Sequence, residues 1–133
     1  MASVRTEGRI AVVDDEINIA EMIDLSLQAA GYTVERFSDG ASAAAWLEEN
    51  IGDIDLLITD QSMPGLTGAM LAERASAMRP GLPVILCTGY SAQLVDSQHL
   101  PQGVSEIVRK PFMPKDLIAR VRELIGKQKA SGD

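Results

Sequence analysis

Ile54-Asp55-Leu56-Leu57-Ile58-Thr59-Asp60, followed at once by Gln61-Ser62-Met63-Pro64-Gly65-Leu66-Thr67-Gly68, is the stretch that decides the fold. Leu56, Leu57 and Ile58 form an apolar run that stops in turn chemistry, the pattern of a strand buried on both faces in a parallel sheet. Such a strand delivers the Asp60 carboxylate at its C-terminal end. Pro64, Gly65 and Gly68 then force a loop before the next helical pattern. Ligands of open α/β sheets gather outside the carboxyl ends of the strands. Asp60 is therefore the first candidate for a working residue.

Working outward, the chain alternates strand and helix. Ile10 to Val13 is a short apolar run that ends in Asp14-Asp15, which predicts strand one. Ile19, Met22, Ile23, Leu27 and Ala30 repeat at helical spacing, and Gly31 is a natural stop. Ile17 and Leu25 fall off that stripe. Tyr32 to Phe37 reads as strand two, Ser38-Asp39-Gly40 as a turn, and the alanine-rich segment 41–49 with Trp46 and Leu47 as a second helix. Thr67 is placed to cap a helix carrying Leu71, Ala75 and Met78, which Pro80-Gly81 ends. Pro83 to Cys87 predicts strand four, residues 91–99 a further helix, and Val104 to Val108 strand five. Pro114 suits a first helical position. Leu117, Val121, Leu124 and Ile125 give the last helix its apolar stripe, and Gly126 is expected to end it.

Five such β-α units with short connections predict an α/β fold: a doubly wound five-stranded parallel sheet, helices on both faces, right-handed crossovers. The 133 residues, 46% of them hydrophobic, suit one domain. It is expected over residues 9–126, with tails at 1–8 and 127–133. No apolar run approaches the ~20 residues that span a bilayer, and the N-terminus carries no secretory pattern. The single cysteine, Cys87, excludes an internal disulfide, and a cytoplasmic setting is the simplest expectation. A net charge of −7 argues against direct nucleic-acid binding. The charge is uneven: residues 1–108 hold 5 basic against 16 acidic groups, whereas 109–133 hold 7 against 3. The basic last helix is either a solvated face or a docking face.

Topology then assembles a site. Asp14, Asp15, Asp60, Thr88 and Lys110 are each among the first polar residues after an apolar strand, and in a parallel sheet those ends share one edge. Three carboxylates in one pocket raise each other's pKa unless a cation intervenes. Oxygen ligands without His or Cys suit Mg²⁺, which keeps several waters and pairs with phosphate oxygens. Lys110 adds an ammonium, Thr88 a hydroxyl, and a carboxylate nucleophile completes a phosphoryl-transfer site. Taken singly, each residue has a plainer reading: Asp-Asp and Asp60 as turn formers, Lys110 as a solvated lysine. Turn chemistry does not require their joint occurrence at four strand ends.

The same residues carry a family resemblance. Val12-Val13-Asp14-Asp15-Glu16, Asp60 with Met63-Pro64-Gly65 and Gly68, Thr88, and Lys110-Pro111-Phe112 resemble the receiver domain of bacterial two-component response regulators, over about residues 8–126. The resemblance implies the flavodoxin-like strand order 2-1-3-4-5. Asp60 would be the phosphoacceptor. Asp15 and Asp60, with the backbone carbonyl of Ser62, would bind Mg²⁺ directly, and Asp14 mainly through water. Thr88 and Lys110 would contact the phosphoryl group, and the Lys110-Pro111 peptide is expected to be cis. A histidine kinase or phosphotransfer protein would donate the phosphoryl group from a phosphohistidine. The last helices would then shift to favour a downstream protein partner, and the acyl phosphate would hydrolyse partly by self-catalysis. That is signalling rather than metabolic turnover.

The family often has an aromatic residue three positions before the lysine. Here that position is Ile107, so a relay from Thr88 to an aromatic ring is not expected. Tyr90, two residues after Thr88, is a candidate lid over the phosphoryl group, and His99 reads as a surface residue. A flavodoxin-like electron carrier would need a Ser/Thr/Gly-rich loop after strand one and more than 4% aromatics. A haloacid-dehalogenase-like phosphatase would need an acid where Ser62 stands. A phosphorylation-independent interaction module would not need the acidic set. Thr6 to Ile10 and Leu86 to Ser91 are similar to receivers of hybrid histidine kinases. Either a stand-alone regulator or a receiver from a longer hybrid kinase or phosphorelay protein is expected.

Overall fold

The computed structural model describes residues 8–89 and 100–131, the side chains of 128–131 excepted. Five strands, β1 (Gly8–Val13), β2 (Tyr32–Phe37), β3 (Leu56–Asp60), β4 (Val84–Thr88) and β5 (Glu106–Arg109), are described with four helices: α1 (Ile17–Ala29), α2 (Gly40–Asn50) and α3 (Gly68–Met78) separate the first four strands, and α4 (Pro114–Ser131) follows β5. All neighbouring strands pair in parallel, in the order β2-β1-β3-β4-β5. This is the doubly wound α/β sheet that the alternation predicts.

The pleat sorts the apolar strand residues between two cores. Ala11, Val13, Leu57, Val84 and Leu86 pack on one face with Ala43, Ala44 and Leu47 of α2 and Leu71, Ala72 and Ala75 of α3. Ile10, Val12, Leu56, Ile58, Ile85 and Cys87 pack on the other with Ile23 and Leu27 of α1 and Leu117, Val121 and Ile125 of α4. Both faces of β3 and β4 are buried along their whole length, which is why their sequences run apolar without alternation. Truncating a core side chain such as Leu57 to alanine should cost about 2–5 kcal/mol.

Local chemistry sets the element ends. Thr67 accepts from the Met70 N–H at 3.2 Å to cap α3, as the sequence predicts, and Asp39, read only as part of a turn, accepts from the Ser42 N–H at 2.6 Å to cap α2. Gly65 sits at φ +77° in the loop after β3. Gly68 is required for a different reason: a Cβ there would collide with the Asp60 carbonyl oxygen, so only glycine lets α3 start against the end of β3.

Some expectations shift. A 3₁₀ turn at Ile51–Asp53 leads into β3, and Ile54 is buried without belonging to the strand. β5 begins at Glu106 rather than Val104, which lies in a turn closed by its N–H on the Pro101 carbonyl at 3.0 Å. Gly126 does not end the last helix, which continues to Ser131, and Gly8 already belongs to β1. Gly126 is exposed, and its backbone continues the helix at the modest cost of an interior glycine. The expected helix over 91–99 lies outside the described residues. Among the described residues, no helix is long and apolar enough to cross a membrane.

Candidate functional site

Register brings the chemistry to one edge. Val13 pairs with Thr59, Asp60 with Cys87, and Thr88 with Arg109. Asp14, Asp60, Thr88 and Lys110 are thus level at the carboxyl ends of β1, β3, β4 and β5, with Asp15 one residue further on. The Lys110 N–H donates to the Thr88 carbonyl at 2.8 Å, which extends the β4–β5 pairing to the lysine itself. The Lys110-Pro111 peptide is cis, as expected. Asp15, Glu16, Asp60, Ser62, Gly89 and Lys110 line one open cleft.

Carboxylate oxygens of Asp14, Asp15 and Asp60 lie within 4.8 Å of one another. Lys110 Nζ bridges two of them, 2.9 Å from Asp60 Oδ1 and 3.1 Å from Asp14 Oδ2, and also reaches Glu16 Oε1 at 3.3 Å. The other Asp14 oxygen, Oδ1, accepts from the Glu16 N–H at 2.9 Å. Both Asp14 oxygens are therefore engaged. Asp15 is exposed, whereas Asp14 and Asp60 are buried.

Burial pushes the Asp60 carboxyl above the usual carboxylate range. The Lys110 hydrogen bond and charge pull it down, and the charges of Asp14 and Asp15 push it up, with a net rise. Burial works against the Lys110 charge, but its bonds to Asp60 and Asp14 and their negative charges hold its pKa above the ordinary lysine value. Lys110 is consequently an ammonium at any working pH. Cys87, next to Thr88, is a poor nucleophile: burial raises its thiol pKa to about 12.

Three close carboxylates, all hard oxygen donors, fit a small hard divalent cation such as Mg²⁺ better than a zinc ion, which favours nitrogen and sulfur. A polar ligand is also suggested by Thr88, whose Oγ1 is fully buried and has no hydrogen-bond partner among the described residues. Such orphaned hydroxyls are uncommon in folded interiors.

A family model for the response regulator receiver domain matches residues 10–122. The chain belongs to the response regulator receiver domain family. It is 35% identical to the regulatory protein VanRc of Enterococcus gallinarum over 86% of this chain and 48% of that protein. It is 31% identical to the response regulator receiver protein CpdR of Brucella abortus (strain 2308), over 88% of this chain and 96% of CpdR. Among solved structures, a receiver domain from Clostridium thermocellum superposes with a TM-score of 0.84 at 30% identity, covering 92% of this chain and 97% of that one. The receiver domain of the hybrid histidine kinase CckA gives 0.75 at 34%, covering 89% and 99%. The chain spans about half the length of VanRc and nearly all of CpdR.

The structure brings together Asp14, Asp15, Asp60 and Lys110, as expected, with Ser62 in the cleft lining. Ile107 is partly buried against the α2–α3 core. Tyr90 and His99 lie outside the described residues. Two contributors escaped the sequence reading. Gln61 donates its N–H to the Cys87 carbonyl at 2.9 Å, and its carbonyl and Oε1 accept from Gly68 and Ala69, fastening the loop after Asp60 to α3. A long amide directly after Asp60 was the available signal. Glu16, quoted as part of the acidic motif, also joins the Lys110 cluster.

Proposed function

We propose that this receiver domain is a phosphorylation-dependent switch that accepts a phosphoryl group on Asp60 from the phosphohistidine of a histidine kinase or phosphotransfer protein. The single observation that carries this reading is Lys110 Nζ on Asp60 Oδ1 at 2.9 Å within a cluster of three carboxylates. An Asp60 carboxylate oxygen attacks phosphorus in line as the phosphorus–nitrogen bond of the donor breaks. The imidazole leaves with that electron pair and takes up a proton. Lys110 then transfers its hydrogen bond to a phosphoryl oxygen, and the Thr88 hydroxyl, without a partner among the described residues, gains an acceptor.

Asp15, Asp60 and the Ser62 carbonyl would hold the divalent cation, and Asp14, both of whose oxygens are already bonded, would act mainly through water. When bound, Mg²⁺ supplies positive charge against the phosphoryl oxygens. Water later hydrolyses the acyl phosphate, a slow self-catalysed reset rather than metabolic turnover. Ile107 leaves no ring to report the Thr88 state, so the response reaches a downstream protein partner by movement of the last helices. Similarity to the CckA receiver favours a place in a phosphorelay. The setting is cytoplasmic, with no direct contact to nucleic acid or membrane.

The test uses acetyl phosphate and Mg²⁺ with the full chain. One added phosphate by intact mass, absent without Mg²⁺ and absent in Asp60→Asn, supports the reading. Equal labelling of Asp60→Asn contradicts it.

A further inference from the structure

Glu16 stands where the acidic cleft meets an apolar groove lined by Ile19, Met22, Pro111 and Phe112. It occupies the N-cap position of α1 yet makes no side-chain bond to its own helix, unlike Asp39 and Thr67 on α2 and α3. Its carboxylate turns instead to Lys110, with Oε1 3.3 Å from Nζ, and the side chain is 61% exposed. The ammonium already has two buried partners at shorter range, Asp60 and Asp14. The third pair is therefore weak as a tether. What it does add is one more negative charge at the mouth of a cleft that already holds three carboxylates.

We propose that Glu16 is a donor-selectivity residue, its carboxylate disfavouring phosphodonors in proportion to their negative charge. The inference rests on the phosphoryl-transfer reading and deepens it. A free phosphodonor meets the charge of Glu16 with nothing to offset it. A phosphohistidine presented on a protein surface brings apolar contacts as well, and exposed Ile17 lies next to Glu16 to receive them. A unit charge within a few ångströms of a dianion at a wet protein surface changes its rate of approach by about three- to tenfold. The effect fades as the Debye length falls from ~10 Å at 0.1 M salt to ~3 Å at 1 M.

The test compares the wild type with Glu16→Gln, whose amide oxygen still accepts from Lys110 while the charge is gone. Phosphorylation is followed by intact mass, with Mg²⁺ at a level where the rate no longer rises. The donors are acetyl phosphate, a dianion at neutral pH, and phosphoramidate, which carries less charge. Glu16→Gln should speed acetyl phosphate about three- to tenfold at low salt and phosphoramidate less. Both gains should shrink toward none in 1 M salt, and Glu16→Ala should reproduce them. An unchanged rate, an equal gain for both donors, or a gain that survives 1 M salt overturns the proposal while leaving phosphoryl transfer to Asp60 intact. Failure of the wild type to label with either donor overturns both.

Discussion

Lys110 Nζ lies 2.9 Å from Asp60 Oδ1, joining the carboxyl end of β3 to that of β5 by a charged hydrogen bond across β4. The lysine side chain is largely enclosed, so this cation balances a buried negative cluster as well as facing the Asp60 carboxylate. Removing it should therefore affect stability and chemistry together. Lys110→Ala is expected to destabilise the metal-free protein by about 2 kcal/mol, less than the ~3–5 kcal/mol of fully buried pairs because the cleft is open to water. Added Mg²⁺ should restore part of that loss. Urea denaturation with and without Mg²⁺ checks both, and an unaltered midpoint would show that the bridge does not hold the cluster.

Thr88 should behave in the opposite way. Its hydroxyl is buried without a partner among the described residues, and an unsatisfied buried hydroxyl costs about 1–3 kcal/mol. Thr88→Val keeps the shape and removes the hydroxyl, so it should be neutral or stabilising by up to about 1 kcal/mol. It should also slow labelling or shorten the acyl-phosphate lifetime. Thermal melts and dephosphorylation rates separate the two effects, and a clear loss of stability would mean that the hydroxyl does have a partner.

Asp60 gives a pH dependence with a definite sign. Its folded-state pKa is raised, chiefly by burial, so the folded protein binds the proton more readily than the unfolded chain. The stability tied to its protonation is present below the unfolded value near 3.8 and is lost as pH rises through the raised folded value. At neutral pH without metal, Asp60→Asn should therefore melt higher than the wild type, and the difference should close as the pH falls toward 4. A variant less stable at pH 7 would mean that the Lys110 pair outweighs the burial cost.

Mg²⁺ should stabilise the wild type by about 2.7 kcal/mol at a hundredfold excess over its dissociation constant. Asp15 is exposed, whereas both Asp14 oxygens are bonded within the protein. Asp15→Ala should consequently weaken the metal-dependent shift in melting temperature more than Asp14→Asn does. The reverse order would exchange the two ligand roles.

Ile17 and Leu25 are 69% and 58% exposed on α1, outside its buried stripe of Ala20, Ile23 and Leu27. Ile17 borders the acidic cleft through its neighbour Glu16. Ile17→Glu is expected to slow transfer from a histidine-phosphorylated protein donor while leaving labelling by acetyl phosphate nearly unchanged. Equal slowing with both donors would point to a damaged site rather than a lost contact.

Much of this was legible because buried parallel strands write themselves as short apolar runs. Once those runs are taken as one sheet, Asp14, Asp60, Thr88 and Lys110 must meet, however far apart they lie in the chain. The exposure of Ile17 and Leu25 followed equally directly from helical periodicity. Helix ends were less legible: Gly126 is a stop only where packing or a cap makes it one, and on the outer face of α4 neither does. The contact of Glu16 with Lys110, like the bond that Gln61 Oε1 accepts from the Ala69 N–H, depends on where flexible side chains turn after the backbone is placed. Neither spacing nor composition encodes that.

The central claim is that Asp60 itself carries the phosphoryl group, and chemical trapping tests it most directly. The full chain is phosphorylated with acetyl phosphate and Mg²⁺, reduced with borohydride, and digested for peptide mass spectrometry. An aspartyl phosphate is reduced to homoserine, so the account predicts homoserine at position 60 and nowhere else in the acidic cluster. Homoserine at position 14 or 15, or phosphate incorporation with no reducible acyl phosphate at 60, would contradict it.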